Sequence, residues 1–162
     1  MKVLTPQQIE GLTDIVSIST QFSHAAAVKS DGTLYTWGNG LRGQLGNDAY
    51  ENKFTPVIVS NLTDVKAVST GIDHTIALKK DGTVWAWGYN SQGQIGDGTR
   101  VRSSVPFQSD IDDENAIAAG VHHSLALKAD GTVWAWGYNN LGQVGDNKST
   151  DYVLTPKQIT FE

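Results

Sequence analysis

Apolar residues along this chain come in short runs, four to six residues at most, with turn-forming residues between them, and no segment keeps a helical period over three turns. The runs Leu34 to Trp37, Val84 to Trp87 and Val133 to Trp136 are apolar or aromatic on both alternating faces. A strand in a single exposed sheet carries one polar face, so these runs are predicted to lie between sheets. Each follows an Asp-Gly pair (Asp31-Gly32, Asp81-Gly82, Asp130-Gly131) preceded by another β-prone run, which predicts a hairpin because glycine accepts positive φ without strain. A third strand is predicted upstream of each hairpin, at 15–19, 65–69 and 116–119. A fourth is predicted around each proline, at 5–9, 56–59, 105–108 and 156–160. Proline lacks the N–H that a ladder needs, so this strand is expected outermost.

The pattern occurs three times. HAAAVKSDGTLYTWGNGLRGQLG begins at His24, HTIALKKDGTVWAWGYNSQGQIG at His74 and HSLALKADGTVWAWGYNNLGQVG at His123, while Pro6, Pro56, Pro106 and Pro156 recur at a constant fifty residues. Self-similarity at this period is the mark of a stacked-repeat architecture. Four antiparallel strands per repeat describe a propeller blade. The chain is therefore predicted to be all-β: one repeat domain over 1–162, with blades at about 14–60, 64–109 and 114–160 and an outer strand of a preceding blade at about 3–10.

Composition narrows the picture. Seventeen Gly, five Trp and five Tyr among 162 residues suit tight turns and aromatic strand packing. A net charge of −5 argues against a nucleic-acid partner, which a basic stripe would attract. With no cysteine there is neither a disulfide nor a thiolate metal site, and no apolar run is long enough to span a membrane. The start, MKVLTPQQIEGLTD, lacks the apolar core of a signal peptide. The location expected for the chain as written is cytoplasmic, or the cell surface if it is part of a longer protein.

The motif Gly-x-x-His-Ser/Thr-x-Ala-Leu-Lys, then Asp-Gly-Thr-Val-Trp-Ala-Trp-Gly-Tyr-Asn, then Gly-Gln-x-Gly resembles the repeat of the regulator of chromosome condensation family. Copies two and three carry it almost residue for residue. Copy one departs at Gln21, Ala25 and Tyr35-Thr36. The resemblance implies a propeller, whose family rings close with about seven blades. It fixes function weakly, since such repeats serve as exchange factors, inhibitors and adhesion surfaces.

Three blades cannot close a ring. Leu4-Thr5-Pro6-Gln7-Gln8-Ile9 nearly duplicates Leu154-Thr155-Pro156-Lys157-Gln158-Ile159, so both ends carry outer-strand sequence. Two arrangements are expected: adjoining repeats in a longer array, or a head-to-tail homodimer forming a six-bladed ring.

Candidate chemistry is sparse. His24, His74 and His123 recur at one blade position and do not converge, which favours a structural role, with Trp37, Trp87, Trp136, Gly38, Gly88 and Gly137 completing the repeat framework. His122-His123 point to opposite faces, against a shared metal. Trp85 and Trp134 read more readily as packing than as a sugar platform. Asp97-Gly98-Thr99 and Asp146-Asn147-Lys148 lack the full ligand run of a calcium loop. Asp110, Asp112, Asp113 and Glu114 read as a solvated connection.

No catalytic residue, metal or cofactor is expected. Partner contact is assigned to positions that differ between copies: Phe22, Ser23, Ile72, Asp73, Val121 and His122 before each histidine, and Tyr50, Arg100, Arg102 and Tyr152 in the loops. The sequence thus reads as a non-enzymatic protein-interaction scaffold, of bacterial origin judging by its regularity. Alternatives are a carbohydrate-binding ring, or part of a surface protein or guanine-nucleotide exchange protein.

Overall fold

The computed structural model describes residues 4–147 and 150–160. Among them run twelve strands and no helix: β1 (Ile15–Thr20), β2 (His24–Lys29), β3 (Leu34–Gly38), β4 (Lys53–Ile58), β5 (Val65–Thr70), β6 (His74–Lys79), β7 (Val84–Gly88), β8 (Ser103–Gln108), β9 (Glu114–Ala119), β10 (His123–Lys128), β11 (Val133–Tyr138) and β12 (Tyr152–Gln158). They form three antiparallel four-stranded sheets in sequence order, β1 to β4, β5 to β8 and β9 to β12. The sheets are three blades, side by side through their inner strands, with β5 touching β1, β2 and β9, and β9 touching β6.

Pro56, Pro106 and Pro156 lie in the outermost strands, as the missing N–H requires, but those strands begin earlier than expected, at Lys53, Ser103 and Tyr152. An edge strand has one unpaired side. The ladder therefore survives a proline, and the register shift between Thr36 and Gly38 on the β3–β4 pair accommodates it. Gly38, at φ +102°, closes the same corner. A Cβ there would stand 2.5 Å from the Ser23 carbonyl oxygen and 2.9 Å from His24 Cα.

The expected outer strand at 5–9 ladders with none of the three sheets among the described residues. Gln8 and Ile9 instead line an open groove of about 620 Å³ with Ile18, Ala25, Ala27 and Trp37, on the face of blade one turned away from blade two.

The core lies between blades. Ala26, Val28, Leu34 and Val59 of blade one pack on Val65, Val68, Ala77 and Trp87 of blade two. Leu78, Val84 and Ile111 then pack on Ala126 and Trp136 of blade three. Burying each tryptophan in such a place is worth roughly 3 kcal/mol.

One expectation changes here. Asp110, Asp112 and Asp113 are solvated, but Glu114 is turned inward and buried. Asp64 and Asp113 both precede an inner strand with positive φ, 57° and 60°. The next N–H then bonds the preceding hairpin, Val65 to the Gly32 carbonyl at 3.0 Å and Glu114 to that of Gly82 at 3.1 Å. Glu114 thus occupies the buried position that Val65 fills in blade two. Backbone pairing put it inside, against its side-chain preference.

Candidate functional site

Connections in an antiparallel meander alternate between the two ends of the sheet. The first and third connections of each blade therefore share an end: the turns at 21–23, 71–73 and 120–122, with the long loops at 39–52, 89–102 and 139–151. All ten sequence-predicted partner residues fall at this end or just beside it. Neighbouring turns abut, with Ile72 N donating to the Val121 carbonyl at 3.4 Å.

These residues behave differently from one another. Phe22 is 76 % exposed, and Tyr50 and Val121 are also open. Asp73 is tied down, accepting from Gln44 Nε2 at 3.2 Å. The Ser23 carbonyl accepts from Asn39 N at 2.8 Å, and the Ser23 hydroxyl is buried. Arg102 stacks over Tyr50 at 4.5 Å, and Arg100 over Tyr152 at 4.3 Å, so the four loop residues pair with one another across blades. His122 sits between the rings of Tyr89 and Tyr138, each centroid 6.5 Å away.

Three further residues of the surface escaped the sequence reading. Leu41 and Leu141 are exposed, the latter by 86 %, and Arg42 stacks over Tyr89 at 5.0 Å. Their signal was available: Leu41-Arg42, Ser91-Gln92 and Asn140-Leu141 differ at two adjacent positions of the repeat.

Behind the surface, the repeated residues join the blades. His24 Nε2 lies 2.9 Å from Thr75 Oγ1, and His74 Nε2 3.2 Å from Ser124 Oγ. Each hydroxyl also donates onward, to the Gln44 carbonyl at 2.8 Å and the Gln94 carbonyl at 2.9 Å. A hydroxyl has one proton, so the histidine must be the donor and its proton sits on Nε2. The bonds thus cross to a side chain of the next blade. Burial pushes His24 down to about 4 and His74 to about 3, the latter helped by neighbouring histidines. His123 is lowered by the same cause. All three are neutral at pH 7 and separated by blades, an arrangement suited to holding sheets together and unsuited to acid–base work.

The tryptophans do the same. Trp87 Nε1 donates to the Gln44 carbonyl at 3.0 Å and Trp136 Nε1 to that of Gln94 at 2.9 Å, both rings fully buried. Trp85 and Trp134 donate to Thr83 and Thr132, under Lys79 and Lys128. Neither buried ring offers a face to a sugar.

Asp97 is engaged by Thr99 N at 2.9 Å and Asn90 Nδ2 at 3.0 Å, and Asp146 by Lys157 at 2.7 Å, which makes both loop-forming groups. Lys148 lies outside the described residues. Among those described, no cluster of three histidines or carboxylates could hold a metal. No helix of the described residues is long and apolar enough to cross a membrane.

Comparison with known proteins agrees with this architecture. The model of the regulator of chromosome condensation (RCC1) repeat matches residues 31–78, 81–127 and 130–162, and a second model of the repeat matches 15–44, 65–94 and 115–143. A stretch of 43 residues is 46 % identical to the X-linked retinitis pigmentosa GTPase regulator homolog of Caenorhabditis elegans, covering 26 % of this chain and 3 % of that protein. The fold superimposes on yeast RCC1 (Prp20) in its complex with Kap60 with TM-score 0.84 and 27 % identity, over 96 % of this chain and 40 % of that one. Human WBSCR16 gives 0.79 and 26 %, over 91 % and 40 %. The chain thus spans about 40 % of the length of these structures. With its three blades matched and its junction residues accounted for, the chain belongs to the regulator of chromosome condensation repeat family.

Proposed function

We propose that this chain is a non-catalytic protein-interaction scaffold that presents the turn-and-loop end of its blades to a protein partner. One observation carries the reading. The residues shared by the copies are spent between blades, whereas those that differ, Phe22, Val121, Leu41, Leu141 and Tyr50, stand exposed at one end. Apolar and aromatic side chains on a rigid rim are favoured anchors of protein interfaces. The yeast relative Prp20p has been described together with its binding to Gsp1p and histones. By analogy, a small GTPase and basic proteins are the first partners to try, and the net charge of −5 suits the second class.

The test compares immobilised wild-type chain with F22A/V121A/L141A in quantitative capture of Gsp1-type GTPase, histones and source lysate. Captured protein should fall at least about tenfold with an unchanged melting temperature. Equal capture by both would remove this end from consideration. Exchange activity would show as accelerated release of fluorescent GDP from the GTPase. The carbohydrate alternative loses support from the buried Trp87 and Trp136, and a glycan array with tryptophan quenching tests it directly. A ring completed by further blades, a second copy included, is compatible with this reading.

A further inference from the structure

The arc has two open faces. One is the face of blade one turned away from blade two, carrying Ile18, Ala25, Ala27 and Trp37. The other is the face of blade three turned away from blade two, where Ala116, Ala118, Leu125, Leu127 and Val133 line a shallow apolar depression of about 220 Å³. The two internal junctions specify, position by position, what such faces do when a neighbour is present.

Each internal junction carries four side-chain fasteners. A histidine donates to a hydroxyl of the next blade, at Thr75 and Ser124. An inner-strand serine accepts a backbone N–H of the next inner strand: Thr70 N to Ser19 Oγ at 3.0 Å, and Ala119 N to Ser69 Oγ at 2.9 Å. A tryptophan donates to the glutamine carbonyl of the blade before it. An arginine and a tyrosine stack between successive loops, Tyr50 with Arg102 and Arg100 with Tyr152.

If a second copy closed the ring head to tail, blade three of one chain would meet blade one of the other. Only the tryptophan fastener would survive, Trp37 reaching the Gln143 carbonyl. His123 would face Ala25, which stands where Thr75 and Ser124 stand and has no hydroxyl. Thr20 N would face Ala118, which stands where Ser19 and Ser69 stand. The loop pair would be Thr150 with Asn52. Both are already used within their own blades, by Asn139 Nδ2 at 3.2 Å and Gly40 N at 3.1 Å. The apolar surfaces would still match, but three of four directional contacts would be missing. A polar group buried without its partner costs more than the bond itself gains, so such a junction is penalised as well as unsupported.

We propose that Ala25 and Ala118 are specificity-determining residues that turn away a second copy, and that each open face takes a blade of the same repeat family but of different sequence. The blade that docks on blade one presents a hydroxyl to Thr20 N and an apolar residue to Ala25. The one that docks on blade three presents Ser or Thr to His123 and a tryptophan to the Gln143 carbonyl. The proposal concerns the open faces alone, and the capture experiment above probes the turn-and-loop end, so the two readings fail separately.

Sedimentation velocity over roughly 1 to 100 µM reads the outcome on wild type and A25T/A118S, which restores both hydroxyls. Wild type should sediment as the 17.5 kDa monomer. The double variant should self-associate at least about tenfold more tightly into a two-chain particle, and adding W37A should abolish the gain. A wild-type dimer as tight as the double variant would overturn the proposal. So would a double variant as monomeric as wild type, or a gain that survives W37A. Both alanines lie on open faces, so folding should be unaffected. The single variants A25S and A118S, checked by melting temperature, cover a misfolded double variant.

Discussion

The junction between blades one and two and the junction between blades two and three use equivalent side-chain fasteners at the same positions, yet a buried position that is apolar in the first carries a carboxyl group in the second. His24 and His74 make equivalent bonds to Thr75 and Ser124, and Trp87 and Trp136 donate to equivalent carbonyls. In the first junction the inner strand of the incoming blade begins with Val65, within the apolar cluster. In the second it begins with Glu114, whose two carboxylate oxygens are buried without a hydrogen-bond partner. What is common to the junctions therefore reports on the fold, and what differs reports on how each is tuned. The open face of blade one gives a third point of comparison, with Trp37 standing where Trp87 and Trp136 stand, Ala25 in place of the hydroxyl residue, and no neighbour.

The largest effect separates filled junctions from the open face. Trp87→Ala and Trp136→Ala each remove a fully buried ring and its bond to a carbonyl, so each should cost about 3–5 kcal/mol. Trp37→Ala removes a half-buried ring facing a groove and should cost about 1 kcal/mol in the isolated chain. Urea denaturation at pH 7.5 measures all three. Equal losses would mean that the blades do not depend on neighbour packing.

Acid should strain the junctions next. His24 and His74 are held neutral by burial, at about 4 and about 3, against the ordinary histidine value of 6.5. The unfolded chain therefore binds more protons between those values, so stability is complete above pH 6.5 and is lost as pH falls toward 4. At pH 5 the loss is about 2 kcal/mol for each histidine. His123, on the open side, is less completely buried and should contribute less. Stability measured at pH 7.5 and pH 5 in wild type, His74→Asn and His123→Asn gives the comparison. The acid loss should shrink clearly in the first variant and little in the second. The reverse order would break the link between burial at a junction and pH sensitivity.

The fold was legible because its signals repeat. Asp-Gly hairpins, prolines at a fixed fifty-residue spacing and both-faced apolar runs placed the blade strands within a few residues, and the family match confirmed the architecture. Residues 4–9 were harder, because outer-strand sequence forms a ladder only beside a partner strand, and sequence does not supply the neighbour. Glu114 was misread for a related reason. Charge run Asp110 to Glu114 looked solvated, but the turn through Asp113 commits the next residue to the sheet whatever its side chain. The exposed surface was half legible: variation between copies found Phe22 and Val121, and the same rule applied to Leu41 and Leu141 would have found them too. The Arg–Tyr stacking was invisible because it joins residues of different copies, at spacings no single repeat displays.

The smallest effect bears on the buried position where the junctions differ in charge. Burial pushes the Glu114 carboxyl up to about 7, with the carboxylates of Asp112, Asp130 and Asp113 adding to the rise and Lys128 opposing it. The folded chain holds this proton when the unfolded chain, near 4.5, has released it. The contribution to stability is therefore complete below pH 4.5 and is lost as pH rises through 7, opposite in sign to the histidines. Glu114→Val, which copies Val65, should stabilise the chain by about 1–2 kcal/mol at pH 8, the cost of a desolvated polar group without a partner. At pH 4.5 the gain should shrink toward zero. The two junctions would then share one pH profile, set by His24 and His74 alone. Denaturation midpoints of wild type and variant across pH 4.5 to 8 decide the matter: a constant difference at every pH would show that Glu114 does not titrate inside the junction and that its cost is one of shape.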